Sequence, residues 1–249
     1  MACETVEVAV VGAGAAGIGA ARSLRETGIS FALLEASHRI GGRAYTEEVA
    51  PGVAFDLGCH WLHSASLNPF VAIADHLGFA YLKSGFPRSE VWQDGVRLPE
   101  AAQEERDAFF ESCFAAIKSA GQAGRDLSVV EATERENRWT PVFDYLMSII
   151  ASQDSDLVSV RDLCAYRDTE ENWPLKQGYG ALVARFGADL PVALNAAVTK
   201  IDWSGDPIRL SGARGTLEAR RVLLTVSTGV LGAGDITFEP AAAAFEQPP

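Results

Sequence analysis

An α/β fold is what this sequence predicts, and three observations predict it. Residues 6–11 form a short, β-branched, apolar run that reads as a buried parallel strand. The turn Gly12-Ala13-Gly14-Ala15-Ala16-Gly17 follows at once, and the Ala-rich stretch over 15–25 reads as a helix ending near Gly28. A second apolar run over 31–34 ends in Glu35. Strand, glycine turn, helix, strand and terminal acid make one βαβ unit, the Rossmann-like arrangement with a G-x-G-x-x-G turn.

Each part of the unit has a physical task. Gly12 permits the tight strand-to-helix turn, Gly14 lets a pyrophosphate approach backbone without meeting a Cβ, and Gly17 lets the helix pack close on the strand. The helix N-terminus offers unpaired N–H groups and the positive end of its dipole. Glu35 can accept both hydroxyls of an adenosine ribose, and its charge disfavours a 2′-phosphate. A merely flexible turn would explain the glycines but not the elements and the acid in register with them. The first forty residues therefore carry a dinucleotide site.

At 249 residues the chain is long enough for two domains and a sizeable core. Hydrophobic residues at 48% and charged residues at 22% describe an ordinary folded protein. A net charge of −12, with no basic stripe, argues against nucleic acid as a partner. An acidic surface could attract a cationic substrate, but it reads first as a means to solubility. Cys3, Cys59, Cys113 and Cys164 are widely spaced, without a C-x-x-C pair or a metal-type cluster, and suit a reducing compartment. The apolar stretch over 8–21 lacks a positively charged lead, and no run is long enough to span a bilayer. The expected location is cytoplasmic, away from membranes.

Past Glu35 the chain reads Ala36-Ser37-His38-Arg39-Ile40-Gly41-Gly42-Arg43. Two glycines let the backbone pass close to a ligand, and Arg43 can set a planar guanidinium against phosphate oxygens. Glycine turn, ribose-side acid and Gly-Gly-Arg together resemble the flavin-dependent amine oxidase family, whose relatives include desaturases and protoporphyrinogen oxidases. The resemblance implies FAD as the cofactor, with Gly12, Gly14, Ala16, Gly17, Glu35, Ala36, Gly42 and Arg43 among the residues that bind it. Next, Asp56-Leu57-Gly58-Cys59-His60-Trp61-Leu62-His63, with Asn68-Pro69 soon after, resembles the strand and turn that pass beneath the flavin ring in polyamine and spermine oxidases. There Gly58 would admit the isoalloxazine, and Cys59, His60 and Trp61 would touch it through their backbone. His63 inherits a role at the amine-binding cleft and is the catalytic candidate; a hydrogen-bonded turn histidine is its plainer reading. Asp56 reads as a cap or orienting group for the turn.

Residues 68–77 read as a helix stopped by Gly78, and 91–98 as a hairpin turning on Asp94-Gly95. A long amphipathic helix from Pro99 to about Ala120 places Phe109, Phe110, Cys113, Phe114 and Ile117 on one face, a spacing that reads as core rather than as a substrate tunnel. A second helix covers roughly 141–152, with a polar loop and a short helical turn over 121–138. Asn172-Trp173-Pro174-Leu175-Lys176-Gln177-Gly178-Tyr179-Gly180-Ala181-Leu182 resembles the stretch at which the family's chain returns to its flavin domain, with Lys176 expected to be exposed. Strands are expected over 192–195, 198–203 and 221–226, and the resemblance puts the main chain of Val198 at the adenine. Ser227 stands where the family commonly has proline, and 236–240 resembles a return strand toward the substrate domain. The expected division is 1–63 and 173–235 for the FAD-binding domain, 64–172 for a mainly helical substrate domain, and 236–249 for the start of its continuation.

The resemblance covers nearly all of this chain, whereas the chain covers only the first half to three fifths of the family pattern. The family's lysine near flavin N5, its aromatic pair flanking the amine and its C-terminal Gly-rich stretch have no counterpart in the sequence. The expectation is FAD-dependent oxidation of an amine, with a small-molecule amine and O2 as partners and hydrogen peroxide as a product. It is held by a chain truncated at its C-terminus, whose other half a second polypeptide could supply. Two alternatives stay open: another flavin enzyme of this fold, of the desaturase or protoporphyrinogen oxidase kind, and a non-catalytic nucleotide-binding fragment. A nicotinamide-dependent dehydrogenase would leave Gly-Gly-Arg and the 58–61 turn without a task.

Overall fold

A computed structural model describes residues 5–83, 90–167 and 169–241. Contacts divide the chain into one compact unit of Met1–Ser84 with Glu171–Pro249 and a second of Gly85–Glu170. The first unit opens with β1 (Thr5–Val11), α1 (Ala15–Glu26), β2 (Phe31–Leu34), β3 (Thr46–Ala50), β4 (Val53–Asp56), β5 (Trp61–Leu62) and α2 (Pro69–Leu77). The second holds β6 (Trp92–Gln93), β7 (Val96–Arg97), α3 (Glu100–Gln122), α4 (Val129–Ala132), α5 (Thr140–Ala151) and α6 (Val160–Ala165). The first then resumes with β8 (Trp173–Pro174), α7 (Tyr179–Gly187), β9 (Val192–Ala193), β10 (Val198–Asp202), β11 (Ile208–Gly212), β12 (Gly215–Leu224), α8 (Thr228–Gly232) and β13 (Thr237–Glu239).

A seven-stranded sheet in the order β13-β10-β11-β12-β1-β2-β9 forms the frame of the first unit. β1 runs parallel to both β2 and β12, as an apolar strand buried on two faces must. On one face Val10 and Leu33 pack with Ile18 and Ala21 of α1 and Val183 of α7. On the other, Val6, Ala9 and Val11 pack with Ile201, Leu210 and Ala219 from the antiparallel ladder β10-β11-β12. The alternation along β1 thus divides its side chains between two cores.

The structure differs from the sequence expectation at three places in this unit. The hairpin expected over 204–207 joins β10 to β11, and β12 begins at Gly215 rather than near 221, because β11 pairs antiparallel with its first half before its second half joins β1. The strand expected to return toward the substrate domain is β13, which instead extends the sheet by pairing parallel with β10; the Trp203 N–H donates to the Glu239 carbonyl at 2.7 Å. Residues 242–249, the rest of that expected segment, lie outside the described residues. Finally, the compact helical unit begins at Gly85 rather than at 64. α2 groups with the sheet because Phe70 packs against Tyr179 and Phe186 of α7, each ring at 5.7 Å.

The chain leaves and regains the first unit at neighbouring positions. β5 pairs antiparallel with β8, Tyr81 bridges Leu175, and the Leu82 N–H donates to the Pro174 carbonyl at 3.0 Å. In the second unit, Asp94 and Gly95 turn the β6–β7 hairpin at φ of 50° and 76°. Phe109 and Phe110 both pack edgewise on the fully buried Phe143, with Cys113, Ile117 and Met147 in the same core. Burial pushes the Cys113 thiol up. α4 starts with a reciprocal Ser128–Glu131 capping box. Among the described residues no helix is long and apolar enough to cross a membrane.

Candidate dinucleotide site and histidine turn

The glycine turn is built as its sequence dictates. Gly12 sits at φ +105°, a conformation that L side chains rarely adopt, and its N–H donates to the Leu34 carbonyl at 2.8 Å. A Cβ on Gly17 would lie 1.8 Å from the Gly12 carbonyl oxygen, so α1 can start here only with glycine. Gly14 differs. Its φ is −76°, and a Cβ there would meet nothing nearer than the Gly42 Cα at 4.0 Å. Gly14 and Gly42 lie backbone against backbone, a Cβ on Gly42 standing 3.3 Å from the Gly14 Cα, while the Cβ direction of Gly14 itself is left open. Gly14 precedes the N-terminus of α1, which has no side-chain cap and no acidic residue in its first turn.

Glu35 is buried at the tip of β2 and braces this turn. One carboxylate oxygen accepts from the Ala13 N–H at 2.7 Å and the other from the Ser37 N–H at 2.8 Å. Its carbonyl accepts from the Ala196 N–H at 2.8 Å, tying the acid to the segment that leads into Val198. Ala16, Ala36 and Arg43 are exposed, and Arg43 forms no ion pair with another described residue. Val198 borders an open concavity of about 560 Å³ floored by Ala32, Leu34, Ala193 and Ala196. A bare glycine turn on uncapped helix N–H groups suits a pyrophosphate, and a carboxylate with unused lone pairs nearby suits a ribose. The residues present fit a dinucleotide cofactor.

The turn over 58–63 is organised from below by Asp56. The Asp56 side chain is 1% exposed and accepts hydrogen bonds from the Thr46 hydroxyl, the N–H groups of Tyr179 (2.9 Å) and Gly180 (3.1 Å), and His60 Nδ1 (3.1 Å). Burial pushes its carboxyl up, and those four donors outweigh it, holding the carboxyl below the usual carboxylate value. Asp56 thus caps α7, whose own first residues supply no capping side chain. Burial, with the Cys59 thiol nearby, pushes the Tyr179 phenol up to about 12.

Gly58 has a reason the sequence did not show: a Cβ there would lie 2.0 Å from the Arg43 carbonyl oxygen. Its bareness makes room for the chain itself, and the Cys59 N–H donates to that same carbonyl at 3.3 Å. Residues 42 and 43 therefore join the two expected clusters, Gly42 facing Gly14 and Arg43 crossing Gly58. Cys59 and His60 are exposed, and Trp61 is half-buried under an edge-on His60 ring at 4.8 Å. His63 is exposed, with Nδ1 at 2.6 Å from Oδ1 of the buried Asn172 and its carbonyl accepting from Asn68 Nδ2 at 3.0 Å. Asp56 caps and orients as the sequence suggested, whereas its partner Thr46 and the neighbour of His63, Asn172, were not foreseen. The one signal for the cap was Gly178-x-Gly180, whose Cβ positions would each meet Thr46 atoms at 2.4 Å.

Known proteins resemble this chain in sequence and in fold. The NAD(P)-binding Rossmann-like domain model matches residues 10–77, and the flavin containing amine oxidoreductase model matches residues 123–249, just over half of the chain. The lysine-specific histone demethylase 2 of Homo sapiens is 26% identical over 258 residues, covering 94% of this chain and 31% of its own length. The probable polyamine oxidase 4 of Arabidopsis thaliana is 28% identical over 264 residues, covering 94% of this chain and 52% of its own. A putrescine oxidase solved with putrescine bound superposes with a TM-score of 0.69 at 20% identity, covering 98% of this chain and 62% of that one, and so shares the fold. The chain thus spans from about a third to about three fifths of the proteins it matches. On the family model that covers half its length, the chain belongs to the flavin containing amine oxidoreductases, and its cofactor is FAD.

Proposed function

We propose that this chain carries the cofactor-binding part, and one amine-facing residue, of an FAD-dependent amine oxidase acting on a polyamine or a related primary or secondary amine. The amine loses two electrons and two protons to become an imine. Water hydrolyses the imine to an aldehyde and ammonia or a smaller amine, and O2 takes up the electrons and protons as hydrogen peroxide. The flavin, when bound, supplies the hydride acceptor. In this reading the chain's own residues do the rest. Gly14, Gly42 and the first turn of α1 hold the pyrophosphate, with Arg43 beside it. Glu35 takes the ribose hydroxyls, Val198 offers its main chain to the adenine, and residues 58–61 support the ring. His63 takes a proton from the ammonium form of the substrate, since only the neutral amine can lose a hydride from its α-carbon. Residues 85–170 form the first part of the substrate-binding domain.

The observation that carries this reading is the combination, within one compact unit, of a glycine turn left open at Gly14 with an exposed imidazole on the turn crossed by Arg43. The relatives' names include polyamine and putrescine oxidases, which favours a small amine. The test is a flavin spectrum of the purified protein reconstituted with FAD, followed by anaerobic mixing with spermine, spermidine or putrescine. Bleaching of the yellow band by one of them, with peroxide released in air, supports the reading. A chain that retains FAD and is bleached by no amine overturns it.

A further inference from the structure

We propose that Asn172 is a positioning residue that fixes the His63 imidazole in the tautomer with its proton on Nδ1, so that the Nε2 lone pair is what the turn offers to a substrate ammonium. The inference rests on the reading of His63 given above. An amide oxygen can only accept, so at 2.6 Å from Asn172 Oδ1 the Nδ1 atom of His63 must donate. The Asn172 side chain belongs to a buried residue, 9% exposed, where a polar group without its partner is costly. Its backbone is pinned on both sides. The Glu171 carbonyl accepts from the Ala65 N–H at 2.9 Å, and Trp173 pairs with Leu62 across the β5–β8 ladder. The His63 carbonyl is held separately by Asn68 Nδ2 at 3.0 Å. Ring and backbone are thus anchored by two different segments.

The tautomer matters because a neutral imidazole in water favours the proton on Nε2, and that form offers an amine no lone pair at Nε2. With Nδ1–H committed to Asn172, a proton can pass from R–NH3+ to Nε2. One ammonium N–H bond breaks, one Nε2–H bond forms, and the amine keeps its lone pair. His60, three residues earlier, shows the contrasting arrangement, with Nδ1 at 3.1 Å from the buried Asp56 carboxylate. A carboxylate sets the same tautomer and brings a charge with it. The amide of Asn172 sets it without one.

The test reads the tautomer directly, by long-range 1H–15N correlation spectra of the folded chain at about pH 8.5, some two units above the unperturbed imidazole value. H63Q identifies the His63 signals. The wild type is expected to show Nδ1 protonated and Nε2 bare, N172A to revert to the Nε2–H form, and N172D to restore the wild-type pattern. With amine substrate, N172A is expected to lower kcat/KM on the order of tenfold to a hundredfold and N172D to recover part of the loss. A wild type that already carries its proton on Nε2, or an N172A protein with an unchanged tautomer, overturns the inference without any assay of turnover. An H63Q protein that oxidises amines at the wild-type rate instead removes the role of His63 itself, and the spectra tell the two failures apart.

Discussion

Two glycine-bearing turns lie side by side in the first unit, and their glycines mean different things. At Gly14 the Cβ direction is open, with the Gly42 Cα 4.0 Å from where a Cβ would stand. At Gly58 the same absence is already filled, by the Arg43 carbonyl oxygen at 2.0 Å. The first glycine leaves space that, in the proposed reading, a ligand takes, and the second makes room for the protein's own backbone. A motif written in one letter therefore joins two requirements, binding and folding, which substitution can separate.

The largest effect is expected where the chain fills its own gap. G58A and G17A would place a Cβ 2.0 Å and 1.8 Å from a backbone oxygen, so each is expected to cost about 4 kcal/mol or more in urea unfolding. A G58A protein as stable as the wild type would show that the crossing at Arg43 is loose, and would return Gly58 to the flavin. An intermediate effect is expected at Asp56, the carboxylate beneath the second turn. D56N keeps the shape but weakens four hydrogen bonds, and about 1–3 kcal/mol of stability should be lost at neutral pH. Because the folded-state carboxyl lies below its usual value, that contribution is present above about pH 4 and fades as the pH falls through the folded-state value. The gap between D56N and wild type should therefore close on acidification, and a gap independent of pH would mean that charge plays no part in the cap. The smallest stability effect is expected at Gly14, whose φ of −76° any residue adopts. G14A should unfold within about 0.5 kcal/mol of wild type while binding FAD at least about tenfold more weakly. Equal FAD affinity would break the comparison at its root.

What was legible in the sequence is what neighbours in sequence decide. β2 spans the expected residues, β1 and α1 lie within a residue or two of theirs, and Asn68 and Gly78 bracket α2, because strand pattern, glycine conformation and capping act over a few positions. The aromatic face of α3 read correctly as core at Phe109 and Phe110, but Phe114 is 42% exposed. The rest depends on partners far along the chain. Asp56 caps a helix that begins more than a hundred residues later, and Asn172 is as distant from His63, so no local pattern announces either. α6 packs its Cys164 against Gly121 of α3, a contact with no periodic signature in so short a helix. β13 reads equally as an edge strand or as a path elsewhere until its pairing with β10 is seen.

The narrow ladder formed by residues 61–62 and 80–82 with 173–176 has a consequence of another kind. Residues 85–170 are an excursion that starts and finishes at one address, and Gly12 through His63, Asn172 and Val198 all stand outside it. A gene could exchange that cassette for a longer, shorter or unrelated one at the cost of two junctions, leaving the seven-stranded sheet and its glycine turn untouched. Sheet and cassette are then free to change separately.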